Sequence, residues 1–412
     1  MKPSVRAVAL LGLTQILGYG TLFYAVVLTA PRIAETFGWS KATGLGGFSL
    51  GLLVAGLASP RIGGLIEMHG GRRVMAAGSL VAAAGLAAMS LVNGLAGYLA
   101  VWTLLGLAMS MTLYDPAFAT LGRLFGAAAR TRITALTLIA GFASTLAWPA
   151  THWLIENHGW RATYLVFAGA MLLLAFPAHL LLPAASVDAL AGAGRDRAGD
   201  PVAATPPAGL VAGARGRVFG LLALSFSCNA FLFIGLSAHL LAMLVALGLP
   251  AVAAVAVGTL IGPSQVAARV IELVFARRTH PLGVAIAAAG LILLAFAVLA
   301  LAGIAPLQAA VFAVIYGGSN GLVTIVRGTL PLALFGADGY ARLLGRIARP
   351  VLIVGAAAPF TIGAAIDAGG PAAGLALAFV AGCLSFSALA GIALLMRTQR
   401  RSEAGQETGS AG

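Results

Sequence analysis

Twelve long apolar runs constrain this chain more than any other feature of its sequence. Each run is long enough to cross a bilayer, which takes about 20 apolar residues in helical form. The runs cover residues 7–34, 43–66, 74–92, 95–120, 133–155, 161–182, 216–247, 251–276, 281–303, 306–330, 340–366 and 372–396. In lipid, backbone N–H and C=O groups must bond within their own segment, so runs of this kind form helices. The sequence predicts an all-α membrane protein with twelve transmembrane helices.

The composition excludes a water-soluble domain of this size. Hydrophobic residues make up 60% of the 412 positions and charged residues only 9%, whereas soluble domains carry about 25% charged residues. The net charge of +13 does not indicate a nucleic-acid partner, because the basic residues are scattered between apolar runs and form no basic domain. The expected partner of this surface is the lipid bilayer.

The longest polar interruption divides the spans into two sets of six. Residues 183–215 are rich in Ala, Gly, Pro, Asp and Arg, which is typical of a flexible linker. They are predicted to be a cytoplasmic linker between an N-terminal half, 1–182, and a C-terminal half, 216–396. Residues 397–412 are polar and are predicted to be a disordered cytoplasmic tail.

An internal repeat relates the two halves. Glu67 precedes Arg72-Arg73 in the first half, and Glu272 precedes Arg277-Arg278 at the same spacing in the second. An Ala-Ala-Ala-Gly run follows at matching positions in both halves. The repeat predicts two pseudo-symmetric six-helix halves with the same topology.

The distribution of basic residues predicts the orientation. With the N-terminus inside, eighteen of the 25 basic residues fall in cytoplasmic segments, three fall outside, and four lie within spans or at their edges. Cytoplasmic loops carry the excess of Lys and Arg in membrane proteins. We therefore expect a multi-pass protein of the bacterial inner membrane with both termini in the cytoplasm.

Several motifs occur in a defined order relative to the spans. In chain order, the first half contains Phe37-Gly38-Trp39 after span one, the loop 63–73, Asp115-Pro116 with Arg123, Arg130, Arg132 and Gly141, and Gly159-Trp160-Arg161 after span five. The second half contains Leu334-Phe335-Gly336 with Tyr340, Gly345, Pro359 and Asp367. Together they resemble the major facilitator superfamily and, within it, the monocarboxylate and oxalate porter branch. The resemblance covers nearly the whole chain apart from linker and tail, and it implies secondary transport by alternating access.

The resemblance also assigns roles to individual residues. The loop implies a cytoplasmic gate that latches the two halves, formed by Glu67, Arg72, Arg73 and Arg123. The branch places a substrate-binding arginine in span eight, which maps to Arg269, and a second cation in span eleven, for which Arg349 and Arg346 are the nearest residues. Animal members carry an acid one turn before the first arginine, where this chain has Gln265.

Elementary energetics supports a functional role for charges inside spans. A charge buried in the bilayer costs at least about 2.5–3.5 kcal/mol, so it usually faces a cavity, a partner or a substrate. Arg269 lies eight residues before Arg277, about 12 Å of helix rise, and a guanidinium binds a carboxylate through two parallel hydrogen bonds. Arg349 and Arg327 are further candidates for substrate binding. For all three, a salt bridge or snorkelling to the inner surface is the alternative.

Acidic and aromatic residues complete the predicted site. Asp115 and Glu272 are candidates for proton coupling, with pairing to an arginine as the alternative. Tyr19, Tyr114 and Gln265 are predicted to line a substrate pocket, although aromatic residues also anchor helix ends at the interface. Further candidates for the same pocket are Gln15, Tyr24, Trp148, Asn229 and His239.

The predicted function is transport of a small organic anion, a mono- or dicarboxylate, driven by protons or by exchange. The alternative is efflux of an amphiphilic drug or an organic metalloid compound, and a sensor with a transporter fold is a third reading. No phosphate-binding Gly-x4-Gly-Lys-[Ser/Thr] motif and no hydrolase-type constellation occurs in the sequence. We expect no enzyme activity, no cofactor, no metal and a monomer.

Overall fold

The structure is a computed structural model that describes residues 2–183, 212–276 and 279–410. We number its helical spans α1 to α12 in chain order. The first half contains α1 (Pro3–Tyr19, Gly20–Tyr24 and Val26–Phe37), α2 (Lys41–His69), α3 (Gly71–Ser90), α4 (Leu95–Thr112 and Tyr114–Phe125), α5 (Ala129–Ala140 and 143–158) and α6 (160–170, Met171–Ala175 and Phe176–Leu180). The second half contains α7 (Ala212–Ala246), α8 (Ala251–Ile271 and Glu272–Ala276), α9 (Pro281–Ala302), α10 (Pro306–Phe335), α11 (340–368) and α12 (371–410).

These helices confirm the predicted fold class. Within the described ranges, nine uninterrupted stretches are long and apolar enough to cross a membrane. One of them, Leu95–Leu180, contains α4, α5 and α6, and another, Tyr340–Gln399, contains α11 and α12. The breaks inside them occur at Gly126, with φ 54°, and at Gly159 and Gly370, both with φ 75°, a positive φ that glycine adopts without steric cost. Counting these breaks gives twelve spans.

The predicted bounds of the linker and the tail differ from the helix bounds in the structure. Residues 184–211 lie outside the described residues, and α7 already begins at Ala212, within the segment predicted as linker. The last helix continues to Ser410, where the sequence analysis expects disorder from residue 397. Arg, Glu and Gln supply seven of the 14 residues from 397 to 410, and all three have favourable helix propensity.

A proline shapes the region where α4 is interrupted. Pro116 has no N–H group and cannot donate to the carbonyl of Thr112, four residues earlier, so the helix breaks at Leu113. The side chain of Gln15 on α1 donates to this free carbonyl instead, with Nε2 2.7 Å from the oxygen. The interruption places Tyr114 and Asp115 at the start of a new helical segment that faces the second half.

We call the end of the bundle that carries both termini and the α2–α3 turn the inner end. The two halves approach closely there because glycines face the opposing backbone. A Cβ atom at Gly63 on α2 would lie 2.4 Å from the carbonyl oxygen of Ala341 on α11, and one at Gly345 would lie 2.4 Å from that of Ser59. Gly122 on α4 similarly faces the ring of Tyr340. The structure is therefore closed at its inner end.

This packing predicts different effects for two neighbouring glycines of α2. Gly63→Ala should force α2 and α11 apart, because an opposing backbone oxygen cannot move aside as a side chain can. Gly64→Ala should have no effect, because nothing lies within 4 Å of a Cβ atom there. This separation is measured by double electron–electron resonance between spin labels at the exposed positions Met68 and Arg342. Cys228 and Cys383 are replaced so that they are not labelled. A longer label distance for Gly63→Ala alone is expected; identical distances for both variants would contradict the closure described above.

Candidate functional site

Five helices from both halves converge on a polar cluster between the halves. α1, α4 and α5 supply residues from the first half, and α8 and α10 supply residues from the second. We call this group the central cluster; it comprises Tyr19, Tyr24, Tyr114, Asp115, Thr137, Gln265, Arg269, Thr324 and Arg327. The interruption of α4 and the π-helical turn Gly20–Tyr24 of α1 position two of its segments, and π turns inside α-helices often mark functional sites.

Arg269 is the most deeply buried cation of the central cluster, with 4% of its surface exposed. Its guanidinium donates to the carbonyl oxygens of Gly321 at 3.4 Å and Thr137 at 3.2 Å. Its Nη2 atom lies 3.5 Å from Gln265 Oε1 and 3.3 Å from Thr324 Oγ1. All four acceptors are neutral, and no acidic side chain within the described ranges forms an ion pair with Arg269. In the described part of the chain, the buried charge of Arg269 is therefore solvated only by long hydrogen bonds to neutral acceptors.

Small residues make the space for this guanidinium. A Cβ atom at Gly141 on α5 would lie 2.3 Å from Nη1 of Arg269. Gly321 on α10 is equally tight against the backbone of Gln265 on α8. Because Gly321 has no Cβ atom, α8 and α10 can pack backbone to backbone. Because Gly141 has none, the side chain of Arg269 has room to reach α5 of the first half.

Arg327, in contrast, has an acidic partner. Its Nε and Nη2 atoms donate to Asp115 Oδ1 at 2.9 Å and Oδ2 at 2.6 Å, which is the two-bond geometry that makes such pairs strong. Asp115 is on α4 and Arg327 on α10, so the pair joins the two halves. The side chains are 16% and 24% exposed, so most of the pair is shielded from solvent.

Aromatic side chains line the first-half wall of the central cluster. The rings of Tyr19 and Tyr114 have centroids 4.6 Å apart, and Tyr24 meets the ring of Trp148 edge to face at 6.0 Å. Tyr24 and Tyr114 lie within electrostatic range of Arg269, and Tyr19 lies within that range of Arg327 and Asp115. The structure therefore brings the two predicted tyrosines together with the two arginines.

A second ion pair joins the halves nearer the inner end. Glu272 lies in the π-helical turn Glu272–Ala276 of α8 and is 3% exposed. Its Oε1 atom lies 3.7 Å from Nη2 of Arg130 on α5, and Arg130 also donates to the carbonyl oxygen of Thr279 at 2.6 Å. Among the residues that the structure describes, no group donates a hydrogen bond to the buried Oε2 atom of Glu272. Arg130 belongs to a motif of the sequence, but nothing in the sequence indicates its partner.

The predicted gate residues of the α2–α3 loop do not themselves join the halves. Arg123 Nη1 lies 3.7 Å from Glu67 Oε1 and also donates to the Glu67 carbonyl oxygen, but α2 and α4 belong to the same half. Arg72 and Arg73 are exposed and line a cavity of about 540 Å³ with Arg123. In the described part of the chain, the ion pairs between the halves are Asp115–Arg327 and Glu272–Arg130, because α4 and α5 face α10 and α8 directly.

Arg349 lies outside the central cluster. Its side chain is exposed on α11, and it forms no ion pair with a described residue. Within the same ranges, no group of three or more His, Cys, Asp or Glu side chains is placed to hold a metal ion. Cys228 and Cys383 are free.

The comparisons with known proteins agree with this architecture. A family model described as Major Facilitator Superfamily matches residues 9–348. The crystal structure of the human organic anion transporter MFSD10 (TETRAN) is 18% identical, with a TM-score of 0.72, and the match covers 94% of this chain and 100% of that one. A structure of the transporter FucP in the outward conformation is 15% identical over 94% and 99% of the two chains, with a TM-score of 0.72.

A third match is the E. coli fucose:proton symporter FucP, which is 15% identical over 94% and 98% of the two chains with a TM-score of 0.70. At these identities the matches show a shared fold. No curated protein sequence matches the chain significantly.

Proposed function

Since this chain belongs to the major facilitator superfamily and is a multi-pass membrane transporter, we propose that it is a secondary active transporter of a small organic anion. The observation that carries this proposal is the environment of Arg269. Among the described residues, this buried guanidinium has only neutral acceptors, at 3.2–3.5 Å, so its positive charge between the halves is uncompensated. An anionic group of the substrate supplies the missing countercharge.

The charge balance of the central cluster supports one carboxylate per substrate. Asp115 neutralises Arg327, so Arg269 is the cation left over in the described cluster. A carboxylate can accept two hydrogen bonds from this guanidinium, and the tyrosine hydroxyls can donate further bonds to it. A dicarboxylate requires either a second cation or opening of the Asp115–Arg327 pair. We therefore place monocarboxylates ahead of dicarboxylates.

The energetics of anion movement calls for coupling. Inward movement of one negative charge is opposed by about 2.3 kcal/mol per 100 mV of membrane potential. Uptake then requires protons or exchange, and export of an anion is favoured by the same potential. Of the described acids, Asp115 and Glu272 form ion pairs between the halves, so protonation of either would weaken a contact of the closed inner end. We propose Asp115 and Glu272 as the proton-coupling groups of an alternating-access cycle. We also propose that the protein lies in the inner membrane with both termini in the cytoplasm.

The structural neighbours are consistent with this proposal. One is an organic anion transporter and another a fucose:proton symporter, so both anion and proton transport occur on this fold. The aromatic wall favours a second candidate function, efflux of an amphiphilic drug or an organic metalloid compound. Trp148 beside Tyr24 is 47% exposed and offers an apolar contact to such a molecule.

Flux into proteoliposomes distinguishes the two candidates. Purified protein is assayed with labelled monocarboxylates, dicarboxylates and amphiphilic drugs, with and without an inward proton gradient. We expect saturable monocarboxylate flux that a proton gradient or internal substrate accelerates several-fold. Flux of amphiphiles without flux of any carboxylate, in correctly inserted protein, would contradict the anion proposal and support the efflux candidate.

A further inference from the structure

α11 carries a row of arginines on one face near the inner end. Arg342, Arg346 and Arg349 follow at spacings of four and three residues, so they lie on the same side of the helix. All three are exposed, whereas the opposite face, with Ala341, Leu344, Ile347, Ala348 and Val351, is buried. The arginines therefore point away from the helix bundle.

The same face of α11 borders lipid, as its continuation shows. Ala357 and Phe360 follow along the face, and both are exposed, Phe360 by 48%. An exposed phenylalanine above the arginines fits the hydrocarbon core better than a water-filled channel. The arginines thus lie on the lipid-facing surface at the level of the inner leaflet.

α2 adds a fourth arginine across the seam between the halves. Gly345 of α11 packs against Ser59 and Pro60 of α2. Arg346 and Arg61 are the next residues along these two helices, so both lie beside the contact. Arg61 is exposed, and Leu57, one turn further into the membrane, is 46% exposed. The lipid-facing surfaces of α2 and α11 therefore meet in one basic seam.

The depth of these charges makes a counterion necessary. Arg61 lies eight residues before the end of α2 at His69, and Arg349 nine residues after Tyr340, which is about 12–14 Å of helix rise. Charges at such depth usually face the bundle interior, but these face outward. None of the four forms an ion pair with a described acid. Arg346 lies over the ring of Phe219 on α7, with Cζ 5.1 Å from its centroid, so its guanidinium stays close to the seam.

We propose that this basic seam binds the phosphate headgroup of an anionic phospholipid, held by Arg61 from the first half and by Arg346 and Arg349 from the second. The long side chains reach from their depth toward the headgroup region, and basic sites between helices on the cytoplasmic side recognise such headgroups. Because both halves contribute arginines and meet here only when the inner end is closed, the bound lipid stabilises the closed inner end.

Native mass spectrometry of the purified full-length chain tests the site. The protein in neutral detergent is titrated with phosphatidylglycerol, with phosphatidylcholine and with inorganic phosphate. We expect saturable binding of phosphatidylglycerol, and about 30-fold weaker binding for Arg346→Gln/Arg349→Gln, since each arginine near the headgroup contributes about fivefold. Arg61→Gln should weaken binding about fivefold. Arg6→Gln is the matched control, because Arg6 is equally exposed near the inner end of α1, and it should bind like wild type.

Two results would overturn the proposal. Equal phosphatidylglycerol affinity for wild type and the double variant would mean that the arginines act only as a general positive-inside signal. Saturation of the same site by inorganic phosphate at matched concentration, with no preference for the lipid, would assign it to a soluble anion. The two single variants, each expected to lose about fivefold, carry the same test where the double variant does not fold. Transport is not measured, so this test stands apart from the proposed function.

Discussion

Replacement of Arg269 by glutamine is expected to lower the transport efficiency for the anionic substrate, measured as Vmax/KM in proteoliposomes, by about 150-fold. Removing one partner of a buried, hydrogen-bonded charge pair costs about 3 kcal/mol, which corresponds to this factor. Glutamine retains a hydrogen-bond donor near Gln265 and Thr324, so the loss reports the charge. The protein should remain folded, because Arg269 forms no ion pair within the described part of the chain.

Two further variants separate the charge from its geometry. Arg269→Lys keeps the positive charge but cannot form two parallel bonds to a carboxylate, so we expect an intermediate loss of about tenfold. Thr324→Val removes one neutral acceptor at 3.3 Å and should change transport by less than about threefold. Full carboxylate transport by Arg269→Gln would refute the assignment of Arg269 as the substrate-binding residue.

The second large effect is expected from Asp115→Asn. Breaking a largely shielded ion pair by removing one partner costs about 3 kcal/mol, and this pair joins the two halves in the closed structure. The variant should therefore shift the equilibrium toward an open inner end by more than 100-fold. Labels at Met68 and Arg342 should show a longer distance, and accumulation of substrate driven by a proton gradient should be lost.

The partner residue provides the control for this experiment. Arg327→Gln should open the inner end in the same way, whereas the double variant should be closer to wild type, because no unpaired charge then remains buried. The difference gives the interaction energy of the pair as a double-mutant cycle. If Asp115→Asn leaves both the label distance and the proton dependence unchanged, Asp115 is neither a gate nor a coupling group.

Much of the fold could be predicted because its signals are local. Twelve apolar runs of sufficient length, interrupted by glycines and polar loops, are read along the chain without knowledge of any contact. The repeat of Glu67 and Glu272 with their arginine pairs likewise indicated two related halves, and membership of the superfamily is confirmed. Membership of the monocarboxylate and oxalate branch stays a prediction, because the structural matches are only 15–18% identical and show a shared fold.

The candidate site could be predicted only as a set of residues, without their pairing. Arg269, Arg327 and Arg349 are alike in sequence, since each is an arginine inside an apolar run. The structure separates them. Arg327 pairs with Asp115, 212 positions away, and the side chain of Arg349 is exposed. Arg269 is buried and has no acidic partner among the described residues. The gate illustrates the same limit, because the sequence suggested that Glu67 latches the halves while its partner Arg123 lies in its own half.

The sequence by itself determined that this chain is a twelve-span helical membrane protein with charges held inside its spans, because hydropathy and helix length depend only on neighbouring residues. Only the tertiary structure decided which of those charges are compensated. Ion pairing depends on distances between residues far apart in the chain, and these are set by how α4 and α5 pack against α8 and α10. The proposed function rests on Arg269, the cation of the central cluster that has no acidic partner among the described residues. That lack of a partner is therefore a property of the packed bundle.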